Sequence, residues 1–193
     1  MRRPAFIAAA VLLTLTLAAP VSAAERVRES GTFYQFSSVN FECSGNFCTE
    51  TFIDAFSIDS GIIAVCYNEF TFNARTGRGS SSDGGCAEVS DSALTISNDF
   101  SVTLAPTDIV LFDCNRRTCT EGDTVTVSAS DDAAGPVTTA TGRVTVKEGN
   151  CTIRISFSDA SAEVAGTMTV DGETLDQSGF ATVSEQTTTT TCR

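Results

Sequence analysis

The chain has 193 residues, with twelve Lys and Arg, twenty-four Asp and Glu and no histidine, a formal net charge of −12. An acidic balance of that size opposes nucleic acid and anionic lipid over the molecule as a whole. The missing histidine removes Ser-His-Asp and Cys-His catalysis and the common zinc enzymes.

Arg2 and Arg3 precede an apolar run from Ala5 to Ala19, and Pro20-Val21-Ser22-Ala23 follows with small residues. This pattern predicts a secretory signal peptide over residues 1–23 and a secreted, extracellular β-rich region over 24–193. The apolar run falls short of the ~20 residues of a membrane span, so no stable membrane insertion is expected. Loss of Arg2 and Arg3 leaves ten basic residues against twenty-four acidic ones, a net charge of −14. Cationic partners or divalent cations suit such a surface better than nucleic acid does.

Strand signals dominate the rest. Phe41-Glu42-Cys43 and Cys48-Thr49-Glu50 flank a turn-like Ser44-Gly45-Asn46-Phe47. The same frame returns as Phe112-Asp113-Cys114 and Cys119-Thr120-Glu121 around Asn115-Arg116-Arg117-Thr118. Both read as hairpins stapled near the tip. A fainter echo links Thr76-Gly77-Arg78, seven residues before Cys86, with Thr141-Gly142-Arg143, seven residues before Cys151. Together the echoes predict an internal duplication, residues 31–105 and 106–193, with a boundary near Ala105-Pro106.

Leu94–Ile96 and Val102–Leu104 read as short strands broken at Asn98-Asp99, and Thr124–Val127 and Arg143–Val146 alternate in the strand period. In Cys151–Phe157 the alternation assigns Ile153, Ile155 and Phe157 to a core, and Thr152, Arg154 and Ser156 to water. The phenylalanines at 33, 36, 41, 52, 56, 70 and 72 are likewise expected inside. The Thr187–Thr191 run, closed by Cys192, is expected as a tethered edge strand. Short Gly- and Asp-rich connections leave no room for crossover helices. The expected fold is therefore all-β and antiparallel, a sandwich or barrel-like form of ten to twelve strands.

Eight cysteines in an exported chain read as a disulfide framework. Simple pairing within each half gives Cys43–Cys48, Cys66–Cys86, Cys114–Cys119 and Cys151–Cys192. Loop entropy assigns about 2.2 kcal/mol to each short bridge, about 3.3 to the middle one and about 3.9 to the longest.

Chemistry is sparse. Ile58-Asp59-Ser60-Gly61-Ile62 resembles the Asp-Ser-Gly motif of aspartic proteases. That chemistry needs two such aspartates, and this chain offers one. Paired acids could serve an acid-dependent hydrolase. Asp131-Asp132, Asp171-Gly172-Glu173 and Glu121-Gly122-Asp123 offer oxygen to calcium without an EF-hand pattern, and are expected as solvated loop acids. Lys147 reads as a surface lysine, and Asn150-Cys151-Thr152 is a glycosylation sequon.

Arg116 and Arg117, adjacent at a stapled tip on an acidic protein, are the candidate binding residues. A constrained loop presents its side chains at reduced entropic cost. The expected function is an extracellular binding or structural module for an unknown protein or small ligand, without cofactor or metal and with no catalytic residue assigned. The alternatives are an Asp/Glu hydrolase and a protease inhibitor presenting the Arg116-Arg117 loop.

Overall fold

A computed structural model describes residues 26–114 and 119–192, with backbone alone at 59, 80–82, 113, 114 and 119. The predicted leader and the Arg116-Arg117 tip lie outside the described residues.

The strands are β1 (Arg26–Ser44), β2 (Phe47–Asp59), β3 (Ile62–Asn73), β4 (Gly79–Ser90), β5 (Leu94–Ile96), β6 (Val102–Cys114), β7 (Cys119–Ala133), β8 (Thr138–Glu148), β9 (Cys151–Val170) and β10 (Glu173–Cys192). One 3-10 turn, Asp91–Ala93, precedes β5. Every pairing is antiparallel, as short hairpin connections require. The order β10-β1-β2-β3-β4-β6-β7-β9 closes on itself because β9 also pairs with β10. The result is an eight-stranded barrel, with β5 attached to β6 and β8 to β9. Among the described residues no helix is long and apolar enough to cross a membrane.

Alternation fills the barrel. Phe36, Ile53, Ile63, Val65, Ile109, Val127 and Met168 point inward and are fully shielded. Small residues on β9 and β10, Ala162 and Ala181, face these large ones. Leu94 and Phe100 of the β5–β6 hairpin pack into the same core. Pro106 lies where β6 shifts register between Leu104 and Thr107. A residue without an N–H fits an irregularity better than a regular ladder. The boundary expected at Ala105-Pro106 therefore falls inside one continuous strand. Residues 31–105 and 106–193 build a single sheet, in which β1 pairs with β10.

Three bridges expected from sequence are present: Cys43–Cys48, Cys66–Cys86 and Cys151–Cys192. The backbone register makes Cys114 and Cys119 direct cross-strand partners; their side chains lie outside the description. In both repeated motifs the cysteines thus take the same place, as direct partners near the end of a hairpin register, in β1–β2 and in β6–β7. The fainter echo falls on unlike places. Thr76-Gly77-Arg78 belongs to the β3–β4 connection, whereas Thr141-Gly142-Arg143 lies within β8.

Strands β1, β9 and β10 are longer than the barrel. Their excess, with β8, forms a four-stranded wing in the order β1-β10-β9-β8. The Thr187–Thr191 run lies in this wing as a strand. It is an interior strand, not the expected edge, because β10 is paired on both sides to β1 and β9. The free edges belong to β8 and to the first residues of β1, since β2 begins pairing only at Gln35.

Candidate functional site

The outer wall of the barrel over β2, β3, β4 and β6 carries the candidate site. Phe52 pairs with Asn68, Asn68 with Gly84, and Gly84 with Phe112. Direct antiparallel partners share a face, so these four residues form one outward row. Phe112 is 40% exposed. The two rings stand three strands apart, roughly 14 Å along the sheet. Between them a Cβ on Gly84 would run into Asn68 Oδ1 and the Tyr67 carbonyl, so glycine alone keeps the floor low. The groove holds about 370 Å³ and is also lined by Phe70, Glu69 and Asp83.

The neighbouring rows extend the aromatic surface. Phe41, Glu50 and Phe70 are successive partners, and Phe72 faces Cys48. Phe70 stacks on Phe72 with centroids 5.8 Å apart, and Phe41 lies 6.2 Å from Phe72. Of the Cys43–Cys48 bridge beside these rings, Cys48 is buried and Cys43 is exposed. The first phenylalanine of each repeated motif, Phe41 and Phe112, therefore stands on this wall, one on either side of Phe70 and Phe72.

This corrects the expectation that the phenylalanines form the core. Phe36 does, with no exposed surface, whereas Phe41 is 54% exposed. Phe33 and Phe70 are exposed as well. In a barrel only one face of each strand is enclosed, and Phe41, Phe70 and Phe72 have the wrong parity for it.

Acids surround the groove. Glu50 stands between Phe41 and Phe70, and Glu121 is the direct partner of Phe112. Asp54, Glu88 and Asp108 extend the same outward face. Arg75 and Arg78 sit in the β3–β4 connection, past the end of β3 that carries Phe70 and Phe72.

No protein-family model matches the chain. No curated protein sequence matches it either. Among solved structures, a crystal structure from Nitrosomonas europaea provisionally named AttH aligns at 10% identity and a TM-score of 0.26. The alignment covers 80% of this chain, which spans 50% of that one, and a likeness this slight carries no argument.

The other candidates separate in space. Gly61, with φ +80°, makes the β2–β3 turn of the Asp-Ser-Gly segment; the side chain of Asp59 lies outside the description. Among the described residues no cluster of three or more acids, cysteines or histidines is arranged for a metal. Glu69 and Asp83 are direct partners, with Glu69 Oε2 accepting from Tyr67 Oη at 2.9 Å. Burial and that bond to a carboxylate push the Tyr67 phenol well above its ordinary range. Asp83 is exposed, so this pair lacks the shielded cleft that acid-pair hydrolysis uses.

Asp131 is not the solvated loop acid expected from sequence. It is 2% exposed inside the barrel. Its Oδ1 accepts from Gln177 Nε2 at 2.7 Å, and Gln177 Oε1 accepts from the Ser38 hydroxyl. Gly166 on β9 provides the room, since a Cβ there would meet the Ser130 carbonyl and Asp131 itself. Asp131 Oδ2 has no partner among the described residues. Burial raises its carboxyl above the ordinary range, the Gln177 bond opposes that, and the charge of Asp132 adds to it. Parity places Asp132 on the opposite face, where it accepts from Ser101 Oγ at 3.0 Å.

The outward aromatic row was missed in sequence because it is not contiguous. Its signal was present, however, in the parity of Phe41, Phe52, Phe70 and Phe112 relative to their neighbours and in the glycines of Asp83-Gly84-Gly85.

Proposed function

We propose that the chain is an exported binding module that holds a cationic, partly apolar peptide segment across the aromatic groove. The observation that carries this reading is the row Phe52–Asn68–Gly84–Phe112, two phenylalanines facing each other over a low floor. Exposed rings bind apolar groups and attract a guanidinium or ammonium over their faces. Glu50 and Glu121 add carboxylates beside the rings, and the excess of acids favours the approach of a cation from a distance. Two disulfides, Cys43–Cys48 and Cys66–Cys86, staple strands of this wall and suit a preorganised site, and with Cys151–Cys192 in the wing they suit an oxidising compartment outside the cell.

The test is fluorescence polarisation with a labelled nonapeptide alternating Arg and Leu, and with its Gln-for-Arg analogue. Phe70→Ser and Phe112→Ser each weaken binding of the arginine peptide, by about tenfold, the scale of one aromatic contact. The glutamine analogue binds more weakly than its parent. Equal binding of both peptides, or wild-type affinity in both variants, would refute this reading.

A further inference from the structure

The wing has two unlike faces, and both are open. Four register rows define the first: Arg26–Thr191–Thr152–Lys147, Arg28–Thr189–Arg154–Thr145, Ser30–Thr187–Ser156–Arg143 and Thr32–Glu185–Ser158–Thr141. The second bears Val27, Ile153, Val146, Ile155 and Val144. On the first face Arg26, Arg28, Arg143, Lys147 and Arg154 are all exposed. They are half of the ten basic residues that remain after the leader. Glu185 is the single acid in those rows. A protein of net negative charge carries half of these cations on one side of one small sheet.

Geometry makes this face a lattice. Two residues along a strand advance ~6.8 Å and one strand across spans ~4.8 Å, so the five cations bound a patch roughly 14 Å square. Like charges that close repel one another unless water or an anion lies between them. The one hydrogen bond these cations make among the described residues is Arg143 Nε to Ser156 Oγ, 3.4 Å. The spaces between them are filled by Thr and Ser hydroxyls, which both donate and accept.

We propose that this face is a docking site for an anionic polysaccharide, a chain of sugars bearing carboxylate or sulfate groups. The cations match repeated negative charges, and the hydroxyl rows match the hydroxyls of the sugars between them. The four rows contain no aromatic side chain, which removes the stacking platform that single-stranded nucleic acid uses. The acidic barrel beside the wing repels a long, stiff polyanion more than a flexible one that crosses only the patch. This surface is distinct from the aromatic groove, and neither reading depends on the other.

The experiment measures binding of the full mature chain to polygalacturonate, dextran sulfate, neutral dextran and a dT20 oligonucleotide, at 50 and 300 mM salt. Binding is expected to one or both anionic polysaccharides, to fall steeply with salt, and to be absent for neutral dextran. Carboxylate and sulfate ligands are told apart by which of the first two probes binds. Arg28→Ser and Arg154→Ser should each weaken it by roughly tenfold. Lys147→Glu, at a fully solvated edge, repeats the test independently, and circular dichroism with unreduced intact mass checks each fold. Absence of binding to both anionic polysaccharides, or unchanged binding in all three variants, overturns the proposal. Equal affinity for dT20 overturns the choice of sugar. Self-association at low salt that Arg28→Ser abolishes reassigns the face to a second copy of this chain.

Discussion

The barrel and the wing share three strands, and the same face of those strands changes character between them. Along β1 the even positions read Arg26, Arg28, Ser30 and Thr32 in the wing, then Phe36, Ser38 and Asn40 in the barrel. Along β9 they read Thr152, Arg154 and Ser156, then Ala162, Val164 and Met168. Where β2, β3, β6 and β7 close the ring opposite, the face is enclosed and largely apolar, with Ser38, Asn40 and Gln177 as buried polar members; where no described residue stands opposite, it is basic and hydroxylated. Whether a face is core is thus set by what lies across from it, not by the strand that carries it.

Phe36→Ala, in the barrel, should cost ~3–5 kcal/mol in urea unfolding, since the site is fully enclosed. A loss below ~1 kcal/mol there would break the contrast with the wing.

Next come the two longer bridges. Replacing Cys66 and Cys86 by serine should lower stability by about 3 kcal/mol, because that bridge lies within the ring. Replacing Cys151 and Cys192 should show mainly as faster amide exchange across residues 26–34 and 183–192, with barrel amides still protected. Uniform loss of protection would mean that wing and barrel unfold as one unit.

Asp131 tests the polar interior. Its folded pKa is raised, so the folded state binds more protons than the unfolded state above the ordinary carboxylate pKa. Its contribution is full below the unfolded value and is lost as pH rises through the folded one. Asp131→Asn should flatten stability against pH in that window, and an unchanged profile would remove the buried carboxyl as its cause.

The smallest effect belongs to the outer wing. Val144→Ser, at 47% exposure, should change stability by no more than ~0.5 kcal/mol. A larger loss would show that this apolar face is covered in solution.

Much of the architecture was legible in the residues. Turn chemistry between β-branched runs specified antiparallel strands but not their length, since β1 runs to 19 residues and β9 and β10 to 20 each, and the spacing of cysteines specified three bridges that are present. In both repeated motifs the two cysteines are direct partners near the end of a hairpin register, as their frames implied, and the first pair is bridged. The candidate site was less legible. Arg116 and Arg117 stood out because they are adjacent in sequence, whereas Phe52, Asn68, Gly84 and Phe112 become neighbours only through three successive register matches. Likewise Arg28 and Arg154 meet over Thr189 although 126 positions apart in the chain.

The β9 segment marks the division most sharply. Its alternation correctly separated Ile153, Ile155 and Phe157 from Thr152, Arg154 and Ser156. Arg154 faces water as expected and Ile153, Ile155 and Phe157 are half-buried, but it is the polar set whose face continues into the barrel interior and the apolar set whose face continues onto its outside. By itself the sequence determined strand period, turns, cysteine framework and overall charge, because these depend on residues near one another or on totals. Only the tertiary structure decided which face is enclosed, which phenylalanines reach solvent and where the cations collect. Those depend on ring closure and on strands that outrun it, and a period of two is the same on both sides of a sheet.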